Sequence, residues 1–183
     1  MVPAPLTPAQ LVAPFFGDLS ELGDFREVPS DALPAAYHRL LYHGRHMTVA
    51  LESYHKSDLV LEVLQTRKDD STYMRNSLLR RRRDGRIVQF GIVRLELTSL
   101  PAEARQELED GAIPMGRVLI SHYVLRRVKV AALWEIRPAG ELQRIFQTTA
   151  DEVVFGRTAV IYCDGEAAVD VLEIMPLLDR LPM

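Results

Sequence analysis

One stretch, Phe155 to Pro176, constrains the fold more than any other. It reads as two strands joined at Asp164-Gly165, and an Asp-Gly pair between apolar runs is the strongest short-range hairpin signal. The second strand is almost wholly apolar from Ala167 to Met175, which places it centrally in a sheet. Two acids, Asp170 and Glu173, break that run. They are an odd number of residues apart, so a regular strand turns them to opposite faces. One can meet solvent, and the other then points toward the core. A carboxylate there is costly unless it is paired or kept for chemistry.

The same alternation recurs upstream. Leu59 to Arg67, Thr72 to Arg82 and Ile87 to Leu97 read as strands, with turns at Lys68 to Ser71 and at Asp84-Gly85. Tyr123 to Ile136 is a longer strand, broken by Pro138-Ala139-Gly140. Helical patterning occupies the intervals. Thr7 to Phe16 forms a short helix with Pro8 in its first turn, and Ser30 opens a helix that Gly44 stops. Thr48 caps another through His55, and the Thr98 to Glu103 segment opens one that runs to about Glu109 and ends at Gly111. Ile113 to Ile120 is a short turn or helix, and Glu141 to Phe146 a single helical turn. Residues 1–30 otherwise read as a proline-rich N-terminal extension of a single 1–183 domain. The expected class is α+β: a six-stranded antiparallel sheet with helices mainly on one face.

Composition narrows the function classes. A chain of 183 residues can bury a sizeable core, and 48% hydrophobic with 26% charged residues is the balance of a folded protein. A net charge of -3 gives no reason to expect nucleic acid as a partner. The basic run Arg80 to Arg83 has no interleaved aromatics for base stacking and reads as a hairpin end in water. Residues 1–30 are too short and proline-rich for a helix-turn-helix domain. Cys163 is the sole cysteine, so neither an internal disulfide nor a multi-cysteine metal site is expected, and a reducing, cytoplasmic setting fits. No apolar stretch reaches ~18 residues, so no membrane span is expected. The histidines, among them His43, His46, His55 and His122, follow no metal-ligand spacing, so no metal is assigned. No cofactor motif is present either: the chain has no glycine-rich phosphate loop and no Gly-x-Ser-x-Gly elbow.

Two features point to a site. Arg75 shares a strand face with Tyr73, Ser77 and Leu79, and its guanidinium is a rigid fork that matches a carboxylate. By residue type alone an arginine is most often at the surface. Pro114-Met115-Gly116-Arg117 is a tight turn that can present backbone N–H groups to an anion.

In order and spacing these pieces resemble the chorismate lyase (chorismate–pyruvate lyase) family. The matching residues are Leu40-Leu41 with Met47-Thr48, Tyr73 with Arg75, Pro114 to Arg117, Leu125 with Arg127, Phe155-Gly156-Arg157, and Glu173. The resemblance runs from about residue 33 to 176. It implies a six-stranded antiparallel sheet and an enzyme that removes pyruvate from chorismate to leave 4-hydroxybenzoate. It places the ring carboxylate on Arg75 and on backbone amides at Met47, Met115 and Gly116. It gives the proton chemistry to Glu173, with Asp170 as a rival. Breaking the enol ether aromatises the ring, so an arginine fork and one carboxylic acid suffice. The small-molecule carboxylate is the expected partner. Two alternatives are a tailoring enzyme of secondary metabolism acting on another cyclic carboxylate and a non-catalytic module that binds aromatic acids.

Overall fold

The computed structural model describes residues 4–122 and 126–178. Seven strands form one antiparallel sheet: β1 (Gly23–Val28), β2 (Leu59–Lys68), β3 (Thr72–Arg81), β4 (Ile87–Glu96), β5 (Arg126–Pro138), β6 (Val154–Cys163) and β7 (Glu166–Met175). Their order across the sheet is β1-β5-β6-β7-β4-β3-β2. The apolar β7 lies at the centre, as its composition requires. The β6–β7 turn places Asp164 at φ 51° and Gly165 at φ 89°, the left-handed conformations that a two-residue hairpin needs. The expected class, α+β with an antiparallel sheet, holds.

The sheet has seven strands where six were expected. The additional one is β1, which lies in the segment read as extension and pairs along the outer edge of β5 from Gly23 against Pro138 to Val28 against Leu133. Edge position explains why its pattern is weak: four of its six residues are not buried. The beginning of the fourth expected strand, Tyr123 to Leu125, lies outside the described residues.

Helices cover both faces unequally. α2 (Ala35–Leu41), α3 (Met47–His55), α4 (Ala102–Asp110) and α5 (Met115–Ser121) lie over the face that carries Tyr73, Leu79, Val93, Val171 and Met175. α1 (Pro8–Phe16) and α6 (Gly140–Phe146) cover the opposite face, over Met74, Leu78, Phe90, Ile92, Leu172 and Ile174. Thr7 caps α1 in a reciprocal capping box with Gln10, and Pro8 occupies its first turn. The helix expected from Ser30 is divided. A 3-10 turn spans Ser30–Ala32, and α2 begins only after Pro34, whose ring prevents the preceding residue from continuing a helix. Thr48 does not cap α3; His46 holds the cap position and Thr48 lies in the first turn. α4 starts after Pro101, and Gly111 ends it at φ 66°. The Arg80 to Arg83 run is not wholly in water. Arg81 is fully buried, and its guanidinium donates to both carboxylate oxygens of Asp84, at 3.1 and 2.6 Å. Among the described residues no helix is long and apolar enough to cross a membrane.

Candidate functional site

Strand register assembles the site. On the face under α3 and α5, Ser77 of β3, Gly91 of β4, Glu173 of β7 and Arg157 of β6 stand in one row across the sheet. The next row runs Arg75, Val93, Val171, Ala159. A cavity lies above these rows. Its floor includes Arg75, Ser77, Gln89, Arg157 and Glu173, and its roof is formed by His46 to Thr48 and Pro114 to Gly116. The free volume is about 40 Å³, room for a few water molecules. The residues expected at the site, Arg75, Met47, Met115, Gly116 and Glu173, therefore do converge on one cavity.

Arg75 is 2% exposed, contrary to the surface position usual for arginine. One of its terminal nitrogens donates to the Leu108 carbonyl at 3.3 Å, and its Nε has no hydrogen-bond partner. Among the described residues no carboxylate lies within ion-pair distance of it. Burial lowers its affinity for a proton below that of free arginine, and the neighbouring Tyr73 hydroxyl acts against that. The Tyr73 oxygen is itself buried without a hydrogen-bond partner.

The second buried arginine is in the opposite condition. Arg157 is 1% exposed, and its Nε donates to Glu173 Oε2 at 2.6 Å. One terminal nitrogen also donates to the carbonyls of Leu41 at 3.1 Å and His43 at 3.0 Å. Arg157 thus pins the chain after α2 to the centre of the sheet. Arg75 and Glu173 share the cavity floor but are not direct neighbours in the sheet. β4 runs between their strands, so they stand about 10 Å apart sideways, and Glu173 pairs with Arg157.

Asp170, the rival acid, is on the other face. It accepts a hydrogen bond from the Leu6 amide at 3.3 Å and stands 3.8 Å from Arg94. It does not line the cavity, and burial raises its pKa above the ordinary carboxylate value. The odd spacing of the two acids had required this separation.

The roof brings two helix N-termini over the floor. Neither His46, ahead of α3, nor Pro114, ahead of α5, supplies a side-chain cap to the first-turn amides. α5 approaches α3 closely because Gly116 has no side chain; a Cβ there would stand 3.3 Å from Thr48 Oγ1. The cavity's charge is positive in sum. The Arg157–Glu173 pair cancels internally, which leaves the Arg75 cation and the positive ends of the helix dipoles. His43, beside Arg157, stays neutral. Burial, then the charges of Arg157 and Arg45, lower its pKa to about 4.

No protein-family model matches the sequence, and no curated protein matches it. Solved structures do share the fold. PhnF from Mycobacterium smegmatis is similar over 75% of this chain and 65% of its own, with 14% identity and a TM-score of 0.57. The effector domain of PhnF is similar over 75% of this chain and 91% of its own, at 13% identity and a TM-score of 0.54. A GntR-family transcriptional regulator from Bacillus cereus is similar over 69% and 93%, at 12% identity and a TM-score of 0.46. This chain therefore spans about two thirds of the length of PhnF and nearly all of its effector domain. At such identities the likeness shows the fold. The expectation of a carbon–oxygen lyase is overturned here: the solved structures that share the fold are PhnF and its effector domain. Glu173, the expected proton carrier, accepts a hydrogen bond from Arg157.

Proposed function

We propose that the protein is a binding module that holds a small carboxylate in the cavity between sheet and helices and leaves it chemically unchanged. The observation that carries this reading is Arg75, a buried guanidinium with an unpartnered Nε and, among the described residues, no carboxylate beside it. A cation in that state costs stability unless an anion from outside completes it. The uncapped first turns of α3 and α5 add further donors in the roof. The fold likeness to the effector domain of PhnF supports a ligand-binding role.

The cavity's free volume is less than a ring acid occupies, so binding spreads α3 and α5 from the sheet. That movement gives the module an output, since ligand binding and roof position become one equilibrium. The test is calorimetric titration of wild type, Arg75→Ala and Arg75→Lys with a panel of aromatic carboxylates that includes chorismate. Loss of the charge-assisted contact in Arg75→Ala is expected to cost roughly 2–5 kcal/mol of binding. Arg75→Lys restores only part, because an ammonium has no fork. Chorismate is expected to remain intact in the cell of the calorimeter. Equal affinities in all three proteins, or pyruvate release from chorismate above the uncatalysed rate, would overturn the reading.

A further inference from the structure

Gln89 is a polar group in the cavity that carboxylate binding does not account for. It is 7% exposed and lines the floor one strand across from Leu79. Its Oε1 is sealed from solvent with no hydrogen-bond partner. Its Nε2 lies 2.9 Å from the point where a Cβ on Gly91 would stand. The amide therefore lies back across the gap that Gly91 leaves between Ser77 and Glu173. Buried amides are almost always satisfied, because transfer out of water without a partner is costly. A methionine would fill the same space without that cost. The other polar groups of the floor do not meet the need, since Arg157 and Glu173 are engaged with each other.

We infer that Gln89 is a specificity-determining residue whose amide receives a neutral polar group of the ligand, a hydroxyl or a carbonyl. The ligand class is then a carboxylic acid that bears a second, uncharged polar substituent. This inference rests on the reading of the cavity as a carboxylate site. A hydroxyl suits the amide from either end, because it both donates and accepts. A second charged group does not suit it, because a neutral dipole cannot replace the water that a charge loses. The Cα atoms of Arg75 and Gln89 are roughly 14 Å apart, one strand across and four residues along. Both side chains line the cavity, so the interval between their polar ends is shorter, on the scale of one substituted ring.

The experiment compares benzoate with 2-, 3- and 4-hydroxybenzoate on wild type, Gln89→Met and Gly91→Ala, with melting curves to establish that each protein is folded. A Cβ at position 91 displaces the amide while Gln89 stays in the chain, so Gly91→Ala is the second, independent perturbation. In wild type one hydroxybenzoate isomer is expected to bind about tenfold more tightly than benzoate, the effect of one net hydrogen bond. In Gln89→Met and Gly91→Ala that ratio is expected to fall toward one, with benzoate affinity little changed. A purely structural role for Gln89 would weaken all four acids together. An unchanged ratio in both variants, or no preference for any hydroxylated acid in wild type, would overturn the inference and leave the carboxylate site standing. If none of the four acids binds wild type, the carboxylate site falls and the inference with it.

Discussion

Breaking the Arg157–Glu173 pair from one side should cost more than removing it whole. The side chain of Arg157 is 1% exposed and that of Glu173 is 10% exposed. At an effective dielectric constant of 20, charges ~4 Å apart attract by about 4 kcal/mol, which roughly offsets what burial costs them. Glu173→Leu leaves a buried cation with only the Leu41 and His43 carbonyls for company. The expected loss is about 3 kcal/mol, at the lower end for such a break because those carbonyls remain. Arg157→Met leaves a buried carboxylate and also strips both carbonyls of their donor, for about 4 kcal/mol. The double variant leaves no charge and loses only the two carbonyl contacts and some packing, for about 3 kcal/mol. Additivity would demand about 7 kcal/mol. Urea denaturation followed through Trp134, the sole tryptophan, measures all four corners of the cycle. For a chain of this length each single variant should melt roughly 6–16 °C lower. A double variant that costs as much as both singles together would refute the argument that the pair is a balanced unit.

Three further outcomes follow from the same groups. His43 and His55 have folded-state pKa values lowered to about 4, chiefly by burial, while the unfolded chain titrates near 6.5. The stability they lend is whole above pH 6.5 and is lost as pH falls toward 4, about 1.5 kcal/mol per histidine once solvent screening is allowed for; a urea series from pH 7 to pH 4 reads it, and a flat profile in wild type refutes it. Asp170 has the opposite sign, since burial raises its folded pKa and makes its ionised form a cost at neutral pH. Asp170→Asn should therefore stabilise by up to ~1 kcal/mol at pH 7 and by nothing at pH 3, where both forms are neutral. Arg75→Met should leave the ligand-free protein as stable as wild type or about 1 kcal/mol more stable, because a buried charge without an acidic partner is removed; a loss above ~2 kcal/mol by urea denaturation would mean that Arg75 is structural.

Much of the sheet was legible because turn chemistry and alternation agree. Asp84-Gly85 and Asp164-Gly165 fix two hairpins, and Ala167 to Met175 could only be central. β1 was not legible because an edge strand need not alternate strongly, and Gly23-Asp24-Phe25-Arg26-Glu27-Val28 carries few apolar side chains. The Ser30 helix was misjudged because its periodicity runs through Pro34, where the backbone does not. The pairing of Arg157 with Glu173 was hidden by a bulge. Counting outward from the Asp164-Gly165 turn sets Arg157 against Leu172, but the register shifts between Ile161 and Tyr162 and brings it opposite Glu173. Alternation did place Arg75 on the site face. It could not say how deep that face lies, because burial of Arg75 depends on α4 and α5, which come from a distant part of the chain.

The two arginines of the cavity differ in what the chain itself supplies to them. Arg157 has all it needs from within the chain: a carboxylate and two carbonyls, each at or below 3.1 Å. That contact occupies Glu173, whose Oε2 accepts from the Arg157 Nε at 2.6 Å. Arg75 has one carbonyl and an idle Nε. Tyr73 and the Leu108 carbonyl offset only part of the cost of its burial, and among the described residues no carboxylate completes it. On the proposed reading, a ligand carboxylate relieves that cost and separates α3 and α5 from the floor as it enters. Binding energy and roof displacement are thereby tied to the same residue. In Arg75→Met that tie is cut. Acids that still enter this variant through contacts to Gln89 alone should move the roof less, and hydrogen exchange along α3 and α5, compared with and without acid, would read the difference. Protection changes as large in Arg75→Met as in wild type would place the source of the movement elsewhere.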